Sequence, residues 1–386
     1  MKVLHLYANW KWTGPAEPAV NLAAALRDRG LAVSFSCGRE VEGLENEIRG
    51  ALAVLDMTTT GEFRLGKHRN PLLDPLDRRA MRRQIEALKP DLVHCHLPND
   101  QRIGWGAIHG MKQKPRIVRS LYDGEIGKVD RDFRWQMGPG CDAVLCVSRG
   151  VARDLPAKAG IPAEKVFFVE GAVDLDRFDA RPGEPRIAKE YGLRKEDYVV
   201  GIVARMQRHR KFEIFFDAIA RVAEEVPDLK VLMVGRGTWM DEVAVKPAAR
   251  KELAGKVIFT GYRRGAEFVD TLRCMDVKIF LVPGSDGSCR AVREAMALGV
   301  PIVATRRGML PEIVEDGETG VLVEETADSL GDALVRLGKE TALRKRMARA
   351  AKDAARSRFG LPAQAERVEG IYRWLLGGGE RPESGY

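Results

Sequence analysis

The sequence predicts an α/β protein with two doubly wound, Rossmann-like domains that face a cleft. Three observations support this fold class. The chain has 386 residues, which exceeds the size at which one hydrophobic core usually keeps growing. Short apolar runs alternate with helical patterns along the chain, as expected for parallel sheets that helices cover on both faces. A polar, proline-rich segment within residues 176–197 interrupts this alternation and is predicted to link the domains.

The first domain is predicted to span residues 1–180. Its first strand is Lys2–Tyr7, an apolar run of strand formers, and a helix follows at Pro18–Arg29, where apolar residues recur at helical spacing. Gly30 ends this helix. Later strands are expected at Leu31–Ser36, Asp91–Cys95, Arg116–Ser120, Ala143–Val147 and Val166–Val169.

The second domain is predicted to span residues 181–362, followed by a C-terminal helix and tail at residues 363–386. In doubly wound domains, ligands bind at the carboxyl ends of the strands. The strands are expected at Val199–Ala204, Lys230–Val234, Lys256–Thr260, Val277–Leu281, Pro301–Thr305 and Gly320–Val323. The helices are expected at Phe212–Glu225, Ala266–Met275, Arg290–Leu298, Ala327–Leu337, Glu340–Phe359 and Ala363–Leu376.

Composition narrows the range of functions. The net charge of +8 favours anionic partners such as nucleotide phosphates or an acidic membrane surface. Basic residues are not interleaved with aromatic ones, so nucleic acid is not an expected partner. The six cysteines form no C-x-x-C pair, which suits reduced thiols in a cytoplasmic protein. No stretch reaches the roughly 18 apolar residues that a membrane span needs.

The most specific stretch follows the strand that ends at Pro283. The loop at residues 284–288 is rich in small polar residues, and a helix is predicted to begin near Arg290. A loop that opens into a helix presents free N–H groups and the positive end of the helix dipole, which suits a phosphate. Glu294 would lie about one turn into this helix, where it can accept hydrogen bonds from ribose hydroxyls. The alternative is an ordinary turn with a solvent-exposed Glu294.

This stretch resembles the retaining glycosyltransferases of family 4. Residues 286–305 read DGSCRAVREAMALGVPIVAT, and residues 306–320 read RRGMLPEIVEDGETG. The family pattern is EGFGxxxxEAMAxGxPVVAT, followed by GGxPEIVxDGxTG. The resemblance implies the GT-B fold, with a C-terminal helix that packs back on the N-terminal domain. It also implies a catalytic role for Asp286 and donor-binding roles for Gly287, Ser288, Cys289, Arg290 and Glu294.

A second segment extends the resemblance to the start of the second domain. Residues 203–212 read VARMQRHRKF and resemble the family segment GRLxxxKG, whose Arg and Lys bind the donor diphosphate. Arg205 takes the place of that Arg. Either Arg210 or Lys211 takes the place of the Lys, and the ungapped alignment slightly favours Arg210. All three are assigned to catalysis, and Gly235 is assigned to donor binding.

The amino-terminal loop is also predicted to belong to the site. Residues 13–17 read TGPAE and resemble the family loop GGAE, which implies that Gly14 approaches the donor. Trp10 and Trp12 precede this loop and are candidates for stacking on the acceptor, with packing against the neighbouring helix as the alternative. His96 is a third candidate for acceptor binding.

The chain departs from the family pattern at several site positions. Asp286 replaces the first Glu and is one methylene shorter, while Ser288 and Cys289 replace the usual F-G beside the sugar. Tyr122 stands where the family often has a His near the reacting carbon, and it is assigned to the catalytic group. A tyrosine can hydrogen-bond the sugar, but it cannot act as an imidazole at neutral pH. These changes predict altered donor or acceptor choice more than lost activity.

No metal site and no cofactor are predicted. His94 and His96 flank Cys95 at strand spacing and point to one face, but a metal needs further ligands, and none is evident nearby. Two D-x-D pairs, at residues 130–132 and 174–176, match a pattern of metal-dependent glycosyltransferases. That pattern is short enough to recur by chance, and both pairs are interpreted as structural.

Residues 64–89 include a group of arginines with few apolar partners, namely Arg78, Arg79, Arg82 and Arg83. The first interpretation is a solvated helix face. The alternative is a surface that docks on anionic lipid, which would help if the acceptor were lipid-linked. The protein is predicted to be cytoplasmic, with peripheral contact at the inner face of the cytoplasmic membrane as an option.

The sequence therefore predicts a retaining, metal-independent glycosyltransferase that uses a nucleotide-sugar donor, in cell-surface polysaccharide or lipopolysaccharide assembly. Its acceptor could be a glycan, a lipid-linked sugar or a small molecule. Two alternatives stay open: a nucleotide-sugar epimerase on the same fold, and a catalytically inactive homologue that binds nucleotide sugars. A Rossmann dehydrogenase is disfavoured because residues 234–237 lack the third glycine of its fingerprint.

Overall fold

The computed structural model describes residues 1–40, 44–178 and 185–386, apart from the side chains of Asp286 and Ser288. The chain divides into two compact units. The amino-terminal unit comprises Met1–Ala172, Ser285–Gly287 and Leu361–Tyr386, and the carboxyl-terminal unit comprises Val173–Gly284 and Ser288–Gly360. There are two parallel sheets of six strands each in the described residues.

The first half of the described chain alternates strands with helices. The strands are β1 (Lys2–Tyr7), β2 (Ala32–Cys37), β3 (Leu92–Cys95), β4 (Arg116–Leu121), β5 (Ala143–Cys146) and β6 (Val166–Phe168). The helices are α1 (Ala16–Asp28), α2 (Glu47–Val54), α3 (Asp74–Leu88), α4 (Pro98–Ile108), α5 (Arg131–Met137) and α6 (Arg149–Ala159).

The second half repeats this alternation. The strands are β7 (Tyr198–Val203), β8 (Leu229–Val234), β9 (Val257–Gly261), β10 (Val277–Phe280), β11 (Ile302–Thr305) and β12 (Gly320–Val323). The helices are α7 (Arg186–Glu190), α8 (Phe212–Glu225), α9 (Lys246–Ala248), α10 (Gly265–Arg273), α11 (Asp286–Ala297), α12 (Leu310–Ile313), α13 (Ala327–Lys339) and α14 (Thr341–Arg358). The last helix, α15 (Leu361–Leu375), belongs to the amino-terminal unit.

Side chains of β1 alternate between the two faces of the first sheet, and both faces are buried. Leu4 and Leu6 join a core with residues of α3 and α4, whereas Val3 joins a core with residues of α1 and α15. Burying one such side chain contributes roughly 1.5–3 kcal/mol. Helices on both faces explain why the strands of this sheet are continuous apolar runs.

The strand orders locate the places where ligands bind in folds of this kind. The first sheet has the order β2-β1-β3-β4-β5-β6, and the second has the order β12-β11-β10-β7-β8-β9. The direction of winding therefore reverses between β1 and β3 in one sheet and between β7 and β10 in the other. In open parallel sheets, ligands bind outside the carboxyl ends of the strands at such switch points.

The predicted fold class of two doubly wound α/β domains is confirmed, with shifts at two helix starts. Helix α1 begins at Ala16 instead of Pro18, because proline is tolerated in the first turn of a helix. Helix α11 begins at Asp286 instead of near Arg290, so Glu294 lies about two turns into it. Part of the predicted linker, residues 179–184, lies outside the described residues.

Helix α15 packs against α1, as the resemblance implied for a C-terminal helix that returns to the N-terminal domain. Nε of Arg29 lies 2.6 Å from Oε2 of Glu369, and Tyr372 is fully buried on the sheet. Among the described residues, no helix is both long enough and apolar enough to cross a membrane. All six cysteines carry free thiols, and all except Cys274 are buried.

Candidate functional site

The switch point of the carboxyl-terminal sheet lies between β7 and β10. Residues 204–211 follow β7, and residues 281–285 connect β10 to α11. Lys278 of β10 pairs in register with Gly201 of β7, so the two loops leave neighbouring strands at the same edge of the sheet. Strand pairing therefore brings the predicted diphosphate-binding cations to the edge at which α11 begins.

Two guanidinium groups lie close together in the loop after β7. Arg205 is exposed and Arg210 is half-buried. The pKa of Arg210 is lowered, first by burial and then by the positive charge of Arg205. The Nε atom of Arg210 is buried and has no hydrogen-bond partner among the described residues. A bound anion would offset both the lost hydration and the repulsion between the two cations.

Lys211 differs from its neighbour Arg210 because its charge is balanced. Nζ of Lys211 lies 3.1 Å from Oε1 of Glu325, and the same carboxylate also pairs with Arg307. Sequence reasoning left Arg210 and Lys211 as alternatives for the second cation of the site. The ion pair with Glu325 makes Lys211 the weaker candidate, because an anion would have to compete with a carboxylate.

Gly235 lies where the loops after β7 and β8 touch. Its φ is 137°, and a Cβ at this position would lie 2.0 Å from the carbonyl oxygen of Ala204. A side chain at Gly235 would therefore displace the segment that carries Arg205. This packing is a structural reason for the glycine, and direct contact between Gly235 and a donor stays a prediction.

Glu294 is buried within α11, with only 3% of its surface exposed. Nε of Arg290, one turn earlier, lies 3.2 Å from Oε1 of Glu294. This burial does not fit the alternative of an ordinary turn with a solvent-exposed glutamate. Two other predicted residues of α11 are described in full: Cys289 is buried and Gly287 is partly buried. The side chains of Asp286 and Ser288 lie outside the described part of the chain.

Lys278 is a buried lysine beside this site that sequence reasoning missed. It lies in β10, is fully buried, and its Nζ has no hydrogen-bond partner among the described residues. Burial lowers the pKa of Lys278 to about 8, and the negative charge of Glu294 opposes this shift. A lysine inside an apolar strand of a parallel sheet is rare, and this was the signal available in the sequence. Its positive charge favours the ionised form of Glu294.

The amino-terminal sheet has its switch point between β1 and β3. The loop after β1 carries Trp10, which is half-buried, Trp12, which is 36% exposed, and Gly14, which is exposed. Oη of Tyr7 lies 2.6 Å from Oγ1 of Thr13 and fixes this loop to the end of the strand. Nζ of Lys11 lies 4.9 Å from the ring centroid of Trp10. The role of both tryptophans in acceptor binding stays a prediction.

His96 follows β3 at the same switch point, but it is fully buried. Its Nε2 lies 2.9 Å from Nδ1 of His5, and its Nδ1 lies 2.7 Å from Oη of Tyr122. The expected direct contact between His96 and an acceptor does not fit this geometry, because both ring nitrogens already bond protein groups. Tyr122 is only half-buried, and His96 connects it to His5 through these two bonds.

His5, His94 and His96 are the group within the described residues that could supply three metal ligands, with ligand atoms within 4.8 Å of one another. Nδ1 of His94 lies 2.5 Å from Oη of Tyr372, and its Nε2 lies 2.7 Å from Oγ of Ser120. Burial lowers the pKa of His5 to about 3 and those of the other two well below the usual value, so all three are neutral at pH 7. A metal ion would have to displace hydrogen bonds on His94 and His96. His5 was missed by sequence reasoning.

The two D-x-D pairs have structural contacts. Asp130 accepts a hydrogen bond from the backbone N–H of Phe133 at 2.9 Å, at the start of α5. Asp174 accepts one from the backbone N–H of Arg177 at 3.3 Å. Both contacts support the structural interpretation of these pairs.

Family models match both halves of this sequence. The model for "Glycosyltransferase Family 4" matches residues 14–177, and the model for "Glycosyl transferases group 1" matches residues 183–354. The chain belongs to the family 4 glycosyltransferases. The resemblance drawn from the motifs at residues 203–212 and 286–320 is thereby confirmed.

Relatives and solved structures agree with this family. A D-inositol 3-phosphate glycosyltransferase from Mycobacteroides abscessus is 35% identical over 64% of this chain, and the match spans 59% of that relative's length. A glycosyltransferase from Rickettsia africae has a TM-score of 0.82 at 18% identity and covers 98% of this chain and 99% of its own. Anabaena HepE, solved in complex with UDP, has a TM-score of 0.77 at 21% identity and covers 96% of this chain and 98% of its own. This family 4 glycosyltransferase has the GT-B fold.

Proposed function

We propose that this family 4 glycosyltransferase transfers a sugar from a nucleotide-sugar donor to an acceptor with retention of anomeric configuration. The observation that carries the proposal is the cation pair of Arg205 and Arg210 at the edge where α11 begins, for which the described residues provide no ion pair. Guanidinium groups bind phosphate through charge-assisted hydrogen bonds, and a helix N-terminus adds free N–H groups. The donor diphosphate binds at this corner of the carboxyl-terminal sheet.

The same contacts lower the barrier to transfer. Negative charge builds on the diphosphate as its bond to the anomeric carbon breaks. Removing one fixed donor that meets such charge costs roughly 10²–10³ in rate. The acceptor oxygen then bonds the anomeric carbon on the face that the diphosphate leaves. Its proton passes to the leaving phosphate, and the configuration is retained.

Glu294 supplies the contact that recognises the nucleoside. Its carboxylate accepts hydrogen bonds from the ribose hydroxyls, and it lies beside the cations Lys278 and Arg290. UDP in the structure of Anabaena HepE supports a nucleoside diphosphate as the leaving group here. The acceptor is a hydroxyl group of a glycan, a lipid-linked sugar or a small polyol. The name of the M. abscessus relative, a D-inositol 3-phosphate glycosyltransferase, supports a small polyol as the acceptor. The wider process that we propose is polysaccharide or lipopolysaccharide assembly.

Donor binding is tested by thermal unfolding with a panel of nucleotide sugars and nucleoside diphosphates. A ligand that binds only the folded state increases the free energy of unfolding, by about 2.7 kcal/mol when its concentration is a hundred times Kd. The melting temperature rises accordingly. Arg205→Ala and Glu294→Gln should each abolish this shift. Unchanged donor stabilisation in both variants would remove the proposed site.

Arg208→Ala is the matched control for these variants. Arg208 lies in the same basic turn, but it donates to Glu242 at 2.8 Å and its guanidinium lies 3.6 Å from the ring centroid of Trp239. The control should therefore keep the full donor-induced shift. If Arg208→Ala loses the donor-induced thermal shift as completely as Arg205→Ala does, the turn binds the donor through its general positive charge. The specific pair of Arg205 and Arg210 would then be contradicted.

Incubation with the stabilising donor separates transfer from the two alternatives. A transferase releases nucleoside diphosphate faster when an acceptor is added, and NMR of the product shows a retained anomer. An epimerase converts the donor sugar with no acceptor present. An inactive homologue shows the thermal shift but no turnover with any acceptor, and either of these results contradicts the proposed transfer.

Peripheral contact with an anionic membrane is a further part of the proposal. On α3, Leu76, Arg79 and Arg83 follow one another at spacings of three and four residues and share a face, and all three are exposed. Leu72, just before the helix, is 87% exposed. Exposed leucines beside arginines suit the boundary of an anionic bilayer, where each basic residue contributes about 1 kcal/mol.

Vesicle sedimentation tests the membrane contact. The protein should pellet with vesicles rich in phosphatidylglycerol and not with pure phosphatidylcholine vesicles. The pair Arg79→Glu and Arg83→Glu should stop binding, whereas Arg346→Glu with Arg349→Glu, an equal charge change at exposed positions of α14, should not. Equal pelleting with both lipids, or equal loss in both pairs, contradicts docking through α3.

A further inference from the structure

The loop after β1 is held at its origin by a buried carboxylate. Asp100 lies in the first turn of α4 and is fully buried. Its Oδ2 atom accepts the backbone N–H of Ala8, the first residue after β1, at 3.0 Å, and that of Leu97 at 2.9 Å. A cap of α4 needs only the bond to Leu97. The bond to Ala8 joins segments that lie 92 positions apart in the sequence, and it fixes the direction in which the loop leaves the sheet.

The middle of the loop is held by one of its own side chains. Oδ1 of Asn9 accepts the backbone N–H groups of Trp10 and Lys11, at 2.9 and 3.2 Å. The backbone carbonyl of Asn9 accepts the N–H of Gly38, which directly follows β2, at 3.1 Å. A side chain that bonds the backbone of the next residues forms a local turn. Residues 9–11 therefore have a defined shape and are attached to the end of the neighbouring strand.

The end of the loop is held by the start of α2. Oε2 of Glu47, the first residue of this helix, accepts the backbone N–H of Trp12 at 2.5 Å. The N–H of Ile48 donates to the carbonyl oxygen of Trp10 at 3.3 Å. Three side chains thus receive the N–H groups of residues 8, 10, 11 and 12. The conformation of this loop therefore depends on those side chains.

The two tryptophans of the loop differ in what covers their rings. Trp10 is half-buried, and Nζ of Lys11 lies 4.9 Å from its ring centroid, so a cation already packs on one face of this indole. Trp12 is 36% exposed, and its ring makes no aromatic or cation contact within the part of the chain that the structure describes. The apolar face of a ring-shaped polyol packs on an accessible indole. Trp12 offers such a surface.

We propose that Trp12 is the residue on which a cyclic acceptor, a sugar or a cyclitol, stacks. Asp100, Asn9 and Glu47 act through it as positioning residues, because they hold the loop in the binding conformation. The proposal rests on the proposed transferase function. The loop leaves the carboxyl end of β1, which borders the switch point of the amino-terminal sheet. A loop that is ordered before its ligand arrives loses little conformational entropy on binding, and this raises the affinity.

Substitution of Trp12 tests the stacking. Trp12→Leu keeps an apolar side chain without a ring and should raise KM for the acceptor about tenfold, whereas Trp12→Phe keeps a ring and should stay within about threefold of wild type. Trp10→Leu should raise this KM less than Trp12→Leu does, because the indole of Trp10 already packs on Lys11. Steady-state kinetics with the acceptor that stimulates release of nucleoside diphosphate measure all three variants. An unchanged KM in Trp12→Leu, or an equal or larger effect of Trp10→Leu, overturns the proposal.

Substitution of Glu47 separates positioning from stability, because this side chain is exposed. Glu47→Ala removes the partner of the Trp12 N–H and should raise KM for the acceptor about fivefold, whereas Glu47→Gln keeps an oxygen there and should stay within about twofold. In Trp12→Leu, adding Glu47→Ala should raise KM no further, since Glu47 acts only through Trp12. Donor Kd should be the same in every variant. Effects that add up in the double variant, or an equal loss of donor affinity, overturn the positioning role.

Fluorine NMR tests the contact without turnover. In protein labelled with 5-fluorotryptophan at its six tryptophans, the resonances of Trp10 and Trp12 are assigned by substitution with Phe. The probes are two cyclic polyols, myo-inositol and D-glucose, with sorbitol as the acyclic control, each added with and without nucleoside diphosphate. At least one cyclic probe should shift the Trp12 resonance more than that of Trp10, and sorbitol should shift neither.

Three results of this experiment overturn the stacking: a larger shift at Trp10, the same shift with sorbitol, or no shift with either cyclic probe. Failure of the wild type to bind any nucleotide sugar would instead contradict the proposed function. The response of Trp12 to the probes in the ligand-free protein would still decide the stacking in that case.

Discussion

The switch points of the two sheets carry opposite chemistry on similar scaffolds. At the carboxyl-terminal sheet, Arg205 and Arg210 hold unbalanced positive charge beside a helix start. At the amino-terminal sheet, His5, His96 and Tyr122 form a chain of neutral hydrogen bonds. Parallel strand order determines where each group lies, and residue type determines what it can do. Charge suits the binding of an anionic leaving group, and oriented neutral donors suit the hydroxyls of a sugar.

The two edges also differ in their effect on stability. Buried neutral histidines are compatible with a stable fold where both ring nitrogens are hydrogen-bonded, as they are in His94 and His96. A buried cation without a hydrogen-bond partner is destabilising. At the charged edge, Lys278 is such a cation within the part of the chain that the structure describes. The charged edge should therefore show a conflict between stability and function that the neutral edge does not show.

The largest effect on catalysis is expected from substitution of Arg210. Arg210→Ala should lower kcat/KM for the donor by roughly 10²–10³, because it removes a group that meets the developing charge. Lys211→Ala, one residue away, should cost less than about tenfold, because its charge is already balanced by Glu325. Steady-state kinetics of the two variants measure this difference. Equal losses, or a larger loss for Lys211, would contradict the assignment.

Lys278→Met should raise stability while weakening donor binding. The folded-state pKa of Lys278 is about 8, against about 10.4 unfolded, so the buried charge costs about 3 kcal/mol at pH 7. Between pH 8 and 10.4, Lys278 binds a proton in the unfolded chain but not in the folded one, so the free energy of unfolding of the wild type should rise with pH across this window. The stability advantage of Lys278→Met should therefore disappear at high pH.

Denaturant unfolding of Lys278→Met at pH 7 and pH 10, with donor Kd at pH 7, checks this prediction. We expect Kd to increase about tenfold, because Glu294 loses a neighbouring positive charge. Lys278→Arg keeps the charge and is the control for affinity. A less stable variant at pH 7, or unchanged donor affinity, would show that Lys278 is a packing residue.

Tyr372→Phe tests the neutral edge at a point outside the hydrogen-bonded chain of His5, His96 and Tyr122. It removes the hydrogen bond to Nδ1 of His94 and should lower the free energy of unfolding by about 1–3 kcal/mol, because a buried nitrogen loses its partner. Donor Kd should stay unchanged. Thermal unfolding with and without donor measures both quantities. A loss of donor affinity comparable to that of Lys278→Met would erase the distinction between the edges.

The smallest effect is expected from pH. Burial lowers the pKa of His5 to about 3 and those of His94 and His96 well below the usual value, so these rings do not titrate near pH 6.5. The kcat profile should therefore show no inflection near 6.5 that depends on them. An inflection there that His96→Asn removes would mean that the cluster titrates.

The motifs allowed much of this molecule to be predicted from its sequence. Arg205 and Glu294 were predicted as site residues because they lie in segments where many neighbouring residues match a family pattern. The alternation of apolar runs and helical periods predicted both sheets, because parallel strands buried on two faces are apolar throughout. Helix α11 was predicted to begin too late, because the small residues before Arg290 resemble a loop.

The rest depended on contacts between distant segments. Arg210 and Lys211 are adjacent in sequence, and only the fold brings Glu325 to one of them. Lys278 and His5 are single polar residues inside apolar strands, and such a residue carries no local pattern. His96 was recognised as a site candidate, but its burial and its bonds could not be predicted from spacing.

The most direct test of the account is a crystal structure of the protein with a bound nucleoside diphosphate. The account predicts that the diphosphate lies within hydrogen-bond distance of Arg205 and Arg210, at the N-terminal turn of α11, with the ribose hydroxyls on Glu294. A diphosphate bound elsewhere, or this corner occupied by protein side chains, would contradict it.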